Sequence, residues 1–166
     1  MLRNLGITGP MLGMVKDNAT MLYNVLPGGP EVVRWFNDVP PTFHDAEVLG
    51  LHLNRKGESF LRLYYWIMTP SSDEDRHLVP DRHAVFTFTL TGIMDLQLEG
   101  FSVQNVLFGL TIRPAPDRPE RSPYLSLNPL PQDIEVELQH CFGLSGLIRA
   151  RSVSITFAPG EPSKHD

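Results

Sequence analysis

The sequence is poor in cysteine, in basic residues and in long apolar runs, and each shortage excludes a class of protein. Cys141 is the single cysteine, so an intramolecular disulfide and any CxxC metal or redox motif are ruled out. Lys and Arg number 14 against 19 Asp and Glu, which gives a formal net charge of -5. Because nucleic-acid binding draws on a basic surface, this balance argues against a nucleic-acid partner.

The start of the chain also lacks a long apolar run. Gly6, Gly9, Pro10 and Gly13 interrupt the first residues, whereas a secretory signal needs about 7–15 unbroken apolar residues and a membrane span about 18. We therefore expect no membrane association. Together with the lone cysteine, this pattern predicts a cytoplasmic location.

The common motifs of catalysis and nucleotide binding are missing too. No GxGxxG, GxxxxGK[ST], HExxH or GxSxG is present, so dinucleotide binding, P-loop hydrolysis, zincin chemistry and the usual esterase chemistry have no support from the sequence. We predict no cofactor and no metal. A protein that binds without catalysis is favoured over an enzyme.

The overall composition is that of one folded domain. Hydrophobic residues make up 42% of the 166 residues and charged residues 20%, which is typical of a globular protein with a substantial core. The expected domain spans residues 1–166, with residues 158–166 as a frayed tail. Residues 1–26 are either part of this domain or a loosely attached extension.

The clearest structural signal is the alternation of apolar and polar residues in the segment 83–113. Residues 84–91 alternate like a strand with one buried face. A second run, 94–98, follows Gly92 and is either the hairpin partner of the first run or its continuation beyond a glycine bulge. A third run fills residues 106–113. We interpret the segment as the central meander of an antiparallel sheet.

Shorter patterns complete the predicted fold. Val32, Trp35 and Phe36 share one side of a helix predicted over residues 30–37, where core packing is favoured over a binding role for Trp35. A second helix is indicated over residues 11–26. Further strands are expected at 46–54, 59–68, 124–128, 134–141 and 148–157. The pattern predicts an α+β domain with a mostly antiparallel sheet of about seven or eight strands and one or two N-terminal helices.

The strand at 59–68 differs from the others because it is apolar on both faces. This pattern suggests a central strand that is covered on both sides. For Tyr64, Tyr65 and Trp66 the alternative is a surface that binds a partner, and burial is the favoured interpretation.

The sharpest polar cluster comprises His44, Asp45 and Glu47, at the entry to the first strand. A histidine with two carboxylates can serve as acid and base or ligate a metal. On a strand, however, His44 and Asp45 would point to opposite faces, while Asp45 and Glu47 would share one. The favoured interpretation is structural: Asp45 accepts backbone N–H bonds in a turn, and Phe43 packs into the core.

Two other groups of polar residues carry weaker signals. The segment 69–82 is predicted to be a long exposed connection. Its cluster matches neither an EF-hand nor a zinc site, so we interpret it as a solvated acidic loop; its members are Asp73, Glu74, Asp75, His77, Asp81 and His83. The pair His140 and Cys141 does not indicate a nucleophile, because neighbours on a strand face apart, and a buried cysteine is expected. The proline-rich residues 114–123 form a second predicted loop.

The order of several short motifs resembles the immunity protein 50 family of bacterial polymorphic-toxin systems. The motifs are FHDAEV, LTGIMDLQLEGFSVQNVLFGLTI and VELQHCFGLSGLIRARSVSITF, within residues 30–157. The residues that carry the resemblance are Trp35, Phe43, His44, Asp45, Ala46, Glu47, Leu98, Gly100, Phe101, Gln104, Asn105 and Gly143. Residues 1–26, 69–82 and 114–123 lie outside it.

This resemblance implies a small cytoplasmic protein that neutralises a cognate toxin by direct binding. The acidic balance would suit a basic toxin. Contact is expected first in the acidic loop, through Asp73, Glu74, Asp75 and Asp81, with the FHDAE turn as scaffold. Two alternatives stay open. One is a small hydrolase or ligand-binding protein that uses His44, Asp45 and Glu47, and the other is a structural homodimer joined at a sheet edge.

Within the resemblance, the segment from Leu98 to Asn105 is expected to be scaffold. Gly100 would permit a bend of the backbone, and Gln104 and Asn105 would hold that bend by hydrogen bonds. Recognition of the partner is expected in loops at the ends of the sheet.

Overall fold

The computed structural model of the protein describes residues 22–72 and 77–164. The strands in these two ranges are β1 (Glu47–His52), β2 (Ser59–Pro70), β3 (Leu78–Glu99), β4 (Val106–Pro114), β5 (Ile134–Phe142) and β6 (Ser145–Pro159). All pairings are antiparallel, and the strands close into a barrel in the order β1-β2-β3-β6-β5-β4. The predicted α+β class with a mostly antiparallel sheet is confirmed. The described residues contain six strands, however, and not seven or eight.

An α-helix, α1 (Gly29–Trp35), packs against β6. Gly28 precedes it with a φ of 81°, and a Cβ there would lie 1.7 Å from the carbonyl oxygen of Ile155. Only glycine therefore allows the chain to turn into the helix so close to β6. Pro30 lies in the first turn, where its missing N–H costs nothing. The helix predicted over 30–37 is confirmed, except that it ends at Trp35 and does not include residues 36 and 37.

The predicted helix over 11–26 falls mostly outside the described residues. Of that segment the structure describes residues 22–26, and residues 22–25 are helical. In the described parts of the chain, no helix is both long and apolar enough to cross a membrane.

Strand β3 settles the choice that the sequence left open at Gly92. The strand runs without a break through Gly92, which has a φ of 63°, and its register with β6 shifts between Ile93 and Asp95. The second apolar run therefore continues the first beyond a bulge and is not its hairpin partner.

The predicted meander over 83–113 is wrong at its second step. β3 pairs with β2 and β6, whereas β4 pairs with β5 and β1. Residues 100–105 therefore cross one end of the barrel between strands that are not neighbours. Alternation along a strand reports which face is buried, and it carries no information about which strand lies beside it.

The exposed connection predicted over 69–82 is largely strand. β2 extends to Pro70 and β3 begins at Leu78, and Met68 lies opposite Pro80 in this hairpin. β3 pairs with β6 only from Ala84 onward. Within the described ranges, Pro80 thus lies on a part of β3 that pairs with β2 alone, and proline is tolerated on such an edge of a sheet.

Two further predictions are wrong. Residues 119–124 form a 3-10 helix, and residues 125–128 join no strand, because the alternation there lies on a connection with no strand beside it. Cys141 is exposed and not buried. It lies near the end of β5, where the last four residues of the strand are all exposed.

The core fills the inside of the barrel with large apolar side chains. Phe43, Phe86 and Phe88 are fully buried, and the ring centroid of Phe43 lies 5.2 Å from that of Phe86 and 5.5 Å from that of Phe88. Phe36 extends this cluster from the end of α1 to Tyr65, at 5.5 Å. Burial of these rings removes apolar surface from water and is the main source of stability of the barrel.

Candidate functional site

The first four residues of the FHDAE segment, 43–46, form a tight turn before β1, and Glu47 is the first residue of that strand. Phe43 and Asp45 have φ values of 56° and 66°, which reverse the direction of successive side chains. Phe43 points into the core as predicted. His44 and Asp45, which were expected on opposite faces, instead contact each other, with Nδ1 of His44 3.0 Å from Oδ2 of Asp45.

The three polar residues of this segment have different neighbours. His44 and Asp45 are more than half exposed and contact each other, and the His44 ring packs edge-to-face on Phe108 at 5.2 Å. Glu47 lies on β1, opposite Tyr64 of β2. The turn itself is held by backbone bonds, since the N–H of Asp45 donates to the carbonyl of Leu107 at 2.9 Å. In the described ranges no three His, Cys, Asp or Glu residues are arranged to hold a metal.

The acidic residues predicted to contact a partner are only partly within the structure. Asp73, Glu74 and Asp75 lie outside the described residues. Asp81 is an exposed residue of β3, and its carboxylate accepts a hydrogen bond from the backbone N–H of Arg82 at 2.7 Å. The contribution of this group to binding stays a prediction.

Arg82 and Trp35 join the β2–β3 hairpin to the helix. The Trp35 indole N–H donates to the carbonyl of Arg82 at 3.2 Å, and the Arg82 guanidinium donates to the Asn37 side chain at 2.7 Å. The ring of Trp35 also packs against Phe157, with centroids 5.3 Å apart. Trp35 is therefore a packing residue that holds α1 on the barrel.

The loop of residues 100–105 carries the other motif residues. Gly100 has a φ of 74°, and a Cβ there would lie 2.5 Å from the carbonyl oxygen of Gly143. The buried amide of Asn105 accepts bonds from the backbone N–H groups of Ser102 and Leu144, both at 3.0 Å, and donates to the Ser102 carbonyl at 2.7 Å. Gln104 takes part through its backbone, which bonds with the Ser102 hydroxyl.

This bonded loop holds two apolar side chains out in solvent. Phe101 and Val103 are largely exposed, and they form one side of an open groove of about 570 Å³. We call it the edge groove; its lining residues are Glu47, Val48, Leu49, Phe101, Ser102, Val103 and Asn105.

The edge groove lies beside a strand edge that the barrel leaves open. β1 pairs with β4 only through Glu47 and Val106. From Leu49 to His52, β1 has no strand neighbour on that side within the described ranges. Apolar side chains beside an open strand edge are suited to binding a protein segment.

A second exposed feature lies next to this groove, on the outer face of β2 and β3. Tyr64, Trp66 and His83 form an aromatic cluster in which the three ring centroids are 5.1 to 6.0 Å apart. The Tyr64 hydroxyl lies 2.5 Å from Nδ1 of His83. Burial raises the pKa of Tyr64, and the nearby carboxylates of Glu161 and Glu47 raise it further.

The aromatic cluster corrects the expectation that β2 is covered on both sides. Tyr65 points into the barrel and is buried, whereas Tyr64 and Trp66 lie on the outer face and are only half-buried. The outer face of β2 is therefore accessible in the described structure.

The opposite outer face of the barrel carries charges that the sequence did not reveal as a group. Asp95, Arg149, Glu135 and Arg113 are cross-strand neighbours on β3, β6, β5 and β4, so their charges alternate along one row. The Arg113 guanidinium lies 2.6 Å from Glu135. The pKa of Arg113 is raised, because its bonds to carboxylates outweigh the lowering by burial.

The connection between β4 and β5, residues 115–133, covers this row. Arg118 bonds to Glu135 at 3.0 Å, and Arg121 bonds to Asp95 at 2.6 Å. The hydrogen bond from Arg121 holds the pKa of Asp95 below its usual value. We call these charged residues, together with Asp133 and Arg151 beside them, the ion-pair layer.

Asp133, at the end of the connection, is the most buried member of the layer. It has no exposed surface, and its carboxylate accepts bonds from Arg149 at 2.8 Å, from Arg151 at 2.6 Å and from the N–H of Leu130 at 2.8 Å. Burial would raise its pKa, but these donors lower it below its usual value.

Between Arg121, Glu135 and Arg149, the ion-pair layer is too closely packed to admit a substrate. The cavity between Arg121, Glu135 and Arg149 measures about 10 Å³, which is room for about one water molecule. The only sequence signal for the layer is the set of charges on the polar sides of the predicted strands. These charges alone do not predict which residues form ion pairs with each other.

In comparisons with known proteins, no family model, no curated protein and no solved structure matches the chain.

Proposed function

We propose that the protein binds another protein through the edge groove and acts without a catalytic step. The observation that carries this proposal is the placement of Phe101 and Val103. A loop held by the buried Asn105 keeps both side chains in solvent, beside the open edge of β1. Exposed apolar side chains on a rigid support are typical of binding surfaces.

The partner that we propose is a cognate toxin, and the protein would be its immunity protein. The resemblance of the FHDAEV and LEGFSVQN motifs to the immunity protein 50 family supports this choice. The net charge of -5 supports a basic toxin, since complementary charge speeds association. The acidic residues Asp73, Glu74, Asp75 and Asp81 are proposed as secondary contacts.

If a gene beside that of this protein encodes a toxin-like chain, co-expression of the two chains tests this proposal. We expect the protein to restore growth and to co-elute with that chain. The double variant Phe101→Ser/Val103→Ser should lose both effects, whereas Leu127→Ser, an exposed apolar residue outside the groove, should keep them. Killing that persists although the protein is soluble and abundant would refute the pairing.

The open edge of β1 also favours a second candidate, a homodimer joined edge to edge. Leu49 and Leu51 on this strand are half-exposed, and no charged residue lies between Val48 and Leu53. The mass in solution tests this candidate. A mass of twice 18.7 kDa that Leu49→Lys returns to the monomer value would support it, and a monomer at high concentration would exclude it.

A further inference from the structure

The aromatic cluster on the outer face of β2 and β3 has a chemical character of its own. Tyr64 and Trp66 stand two residues apart on one face of β2, and His83 lies beside both on β3. The bond between the Tyr64 hydroxyl and His83 fixes two of the three rings relative to each other. All three side chains remain partly exposed, so the cluster offers a preformed aromatic surface to solvent.

Two carboxylates border this aromatic surface. Glu47 is the cross-strand neighbour of Tyr64, which brings its Cβ within about 5.5 Å of that of Tyr64. Glu161 is placed from the other side, because the N–H of Gly160 donates to the carbonyl of His83 at 2.8 Å. Both glutamates are exposed. The cluster is thus electron-rich at its rings and negative on two of its sides.

The preceding residue on β3, Arg82, does not fill this surface. Its side chain reaches α1, where it bonds to Asn37 and packs on Trp35.

An aromatic face attracts a cation through its quadrupole, and adjacent carboxylates add Coulomb attraction. We infer that Tyr64, Trp66 and His83, with Glu47 and Glu161, form a site for a cationic side chain, guanidinium or ammonium, of a protein partner. Only the source of the cation rests on the proposed function. Glu47 also lines the edge groove, so one partner could contact both features at once.

The test uses a blocked arginine, N-acetyl-arginine methylamide, against its citrulline counterpart, which has nearly the same shape and no charge. Binding is followed in the full chain by the NMR signals of the Trp66 indole N–H and the Tyr64 ring. The Trp66 signal is assigned with Trp66→Phe, which distinguishes it from that of Trp35. We expect saturable shifts with the arginine compound and roughly tenfold weaker binding of the citrulline compound.

Variants separate the roles of the rings and the charges. Trp66→Leu should weaken binding of the arginine compound roughly tenfold, and Glu47→Gln/Glu161→Gln by roughly threefold to tenfold. Glu58→Gln, an exposed charge on the turn between β1 and β2, should leave binding unchanged. Unaltered amide signals of the core confirm that each variant is folded.

Two results would overturn the inference: no saturable shift with the arginine compound, or equal binding of the arginine and citrulline compounds. Failure of the toxin pairing would leave the cation site standing if the arginine compound still binds selectively. Conversely, a confirmed pairing with no arginine binding would remove this inference and leave the proposed function intact.

Discussion

The two outer faces of the barrel differ in what covers them. The face formed by β3, β6, β5 and β4 carries charged side chains and lies under the protein's own connection, residues 115–133. The face around β1 and β2 carries aromatic and apolar side chains and has no such cover in the described ranges. Within the part of the chain that the structure describes, the protein thus covers its charged face itself and leaves its apolar face accessible.

Charged side chains are usually exposed and apolar side chains usually buried. On these two outer faces the charged side chains are covered and the apolar ones are accessible. Charges under a covering segment must be paired, because an unpaired buried charge is strongly destabilising. The arginines at 118, 121, 149 and 151 meet this condition by bonding to three carboxylates. Apolar side chains left in water contribute little to folding, so an accessible apolar face is better explained by a partner.

The largest loss of stability is expected on the covered, charged face, at Asp133. Asp133→Asn removes the charge that pairs with Arg149 and Arg151, and the nearly buried Arg149 then loses the carboxylate that accepts two of its hydrogen bonds. The free energy of unfolding in urea should fall by about 3 kcal/mol. Asp117→Asn, an exposed residue of the same connection, is the matched control. Equal effects of the two variants would show that the connection is not held by its buried charge.

A smaller loss is expected at the loop that supports the edge groove. Asn105→Ala leaves the N–H groups of Ser102 and Leu144 without their acceptor and should cost about 2 kcal/mol in urea unfolding. Gln104→Ala is the control, because the backbone of Gln104 makes its contacts with Ser102. If Gln104→Ala proves as destabilising as Asn105→Ala, the described role of Asn105 is wrong.

The ion-pair layer also predicts a dependence of stability on pH. The pKa values of Asp95 and Asp133 are lowered in the folded protein, so these carboxylates stabilise it above their unfolded pKa of about 3.9. That stabilisation is lost as the pH falls below about 4 and through the folded pKa values. Urea unfolding between pH 7 and pH 3 measures the decline.

The charge-neutral variant provides the control for this pH dependence. Asp133→Asn has no carboxylate to protonate at that position, so its stability should decline less steeply between pH 5 and pH 3 than that of the unaltered protein. An identical decline would assign the acid sensitivity to other carboxylates.

The smallest loss of stability is expected for substitutions on the accessible apolar face, at Phe101 and Val103. Phe101→Ser and Val103→Ser replace side chains that stand largely in water, so each should change the free energy of unfolding by less than about 0.5 kcal/mol. Thermal and urea unfolding check this value. A loss of 2 kcal/mol or more would mean that these side chains are part of the folded core and not of a binding surface.

Sequence patterns predicted the elements of this fold better than their arrangement. The helix at Val32 and Phe36 and the buried face of β3 follow from local periodicity, and both appear in the structure. The strand predicted at 124–128 failed because alternation alone supplies no neighbouring strand. The pairing of His44 with Asp45 was also missed, because the positive φ values at Phe43 and Asp45 depend on the packing of Phe43 in the core.

The sequence by itself determined the approximate positions of the six strands and the core-facing side of the best-patterned run, residues 84–90, because both depend on alternation between near neighbours. Tertiary structure alone decided that β3 lies beside β6 and that Asp133 meets Arg149. It also decided that Phe101 and Val103 stand in solvent beside β1. These contacts join residues far apart in the chain, and the closure of the barrel and the path of the connecting loops bring them together.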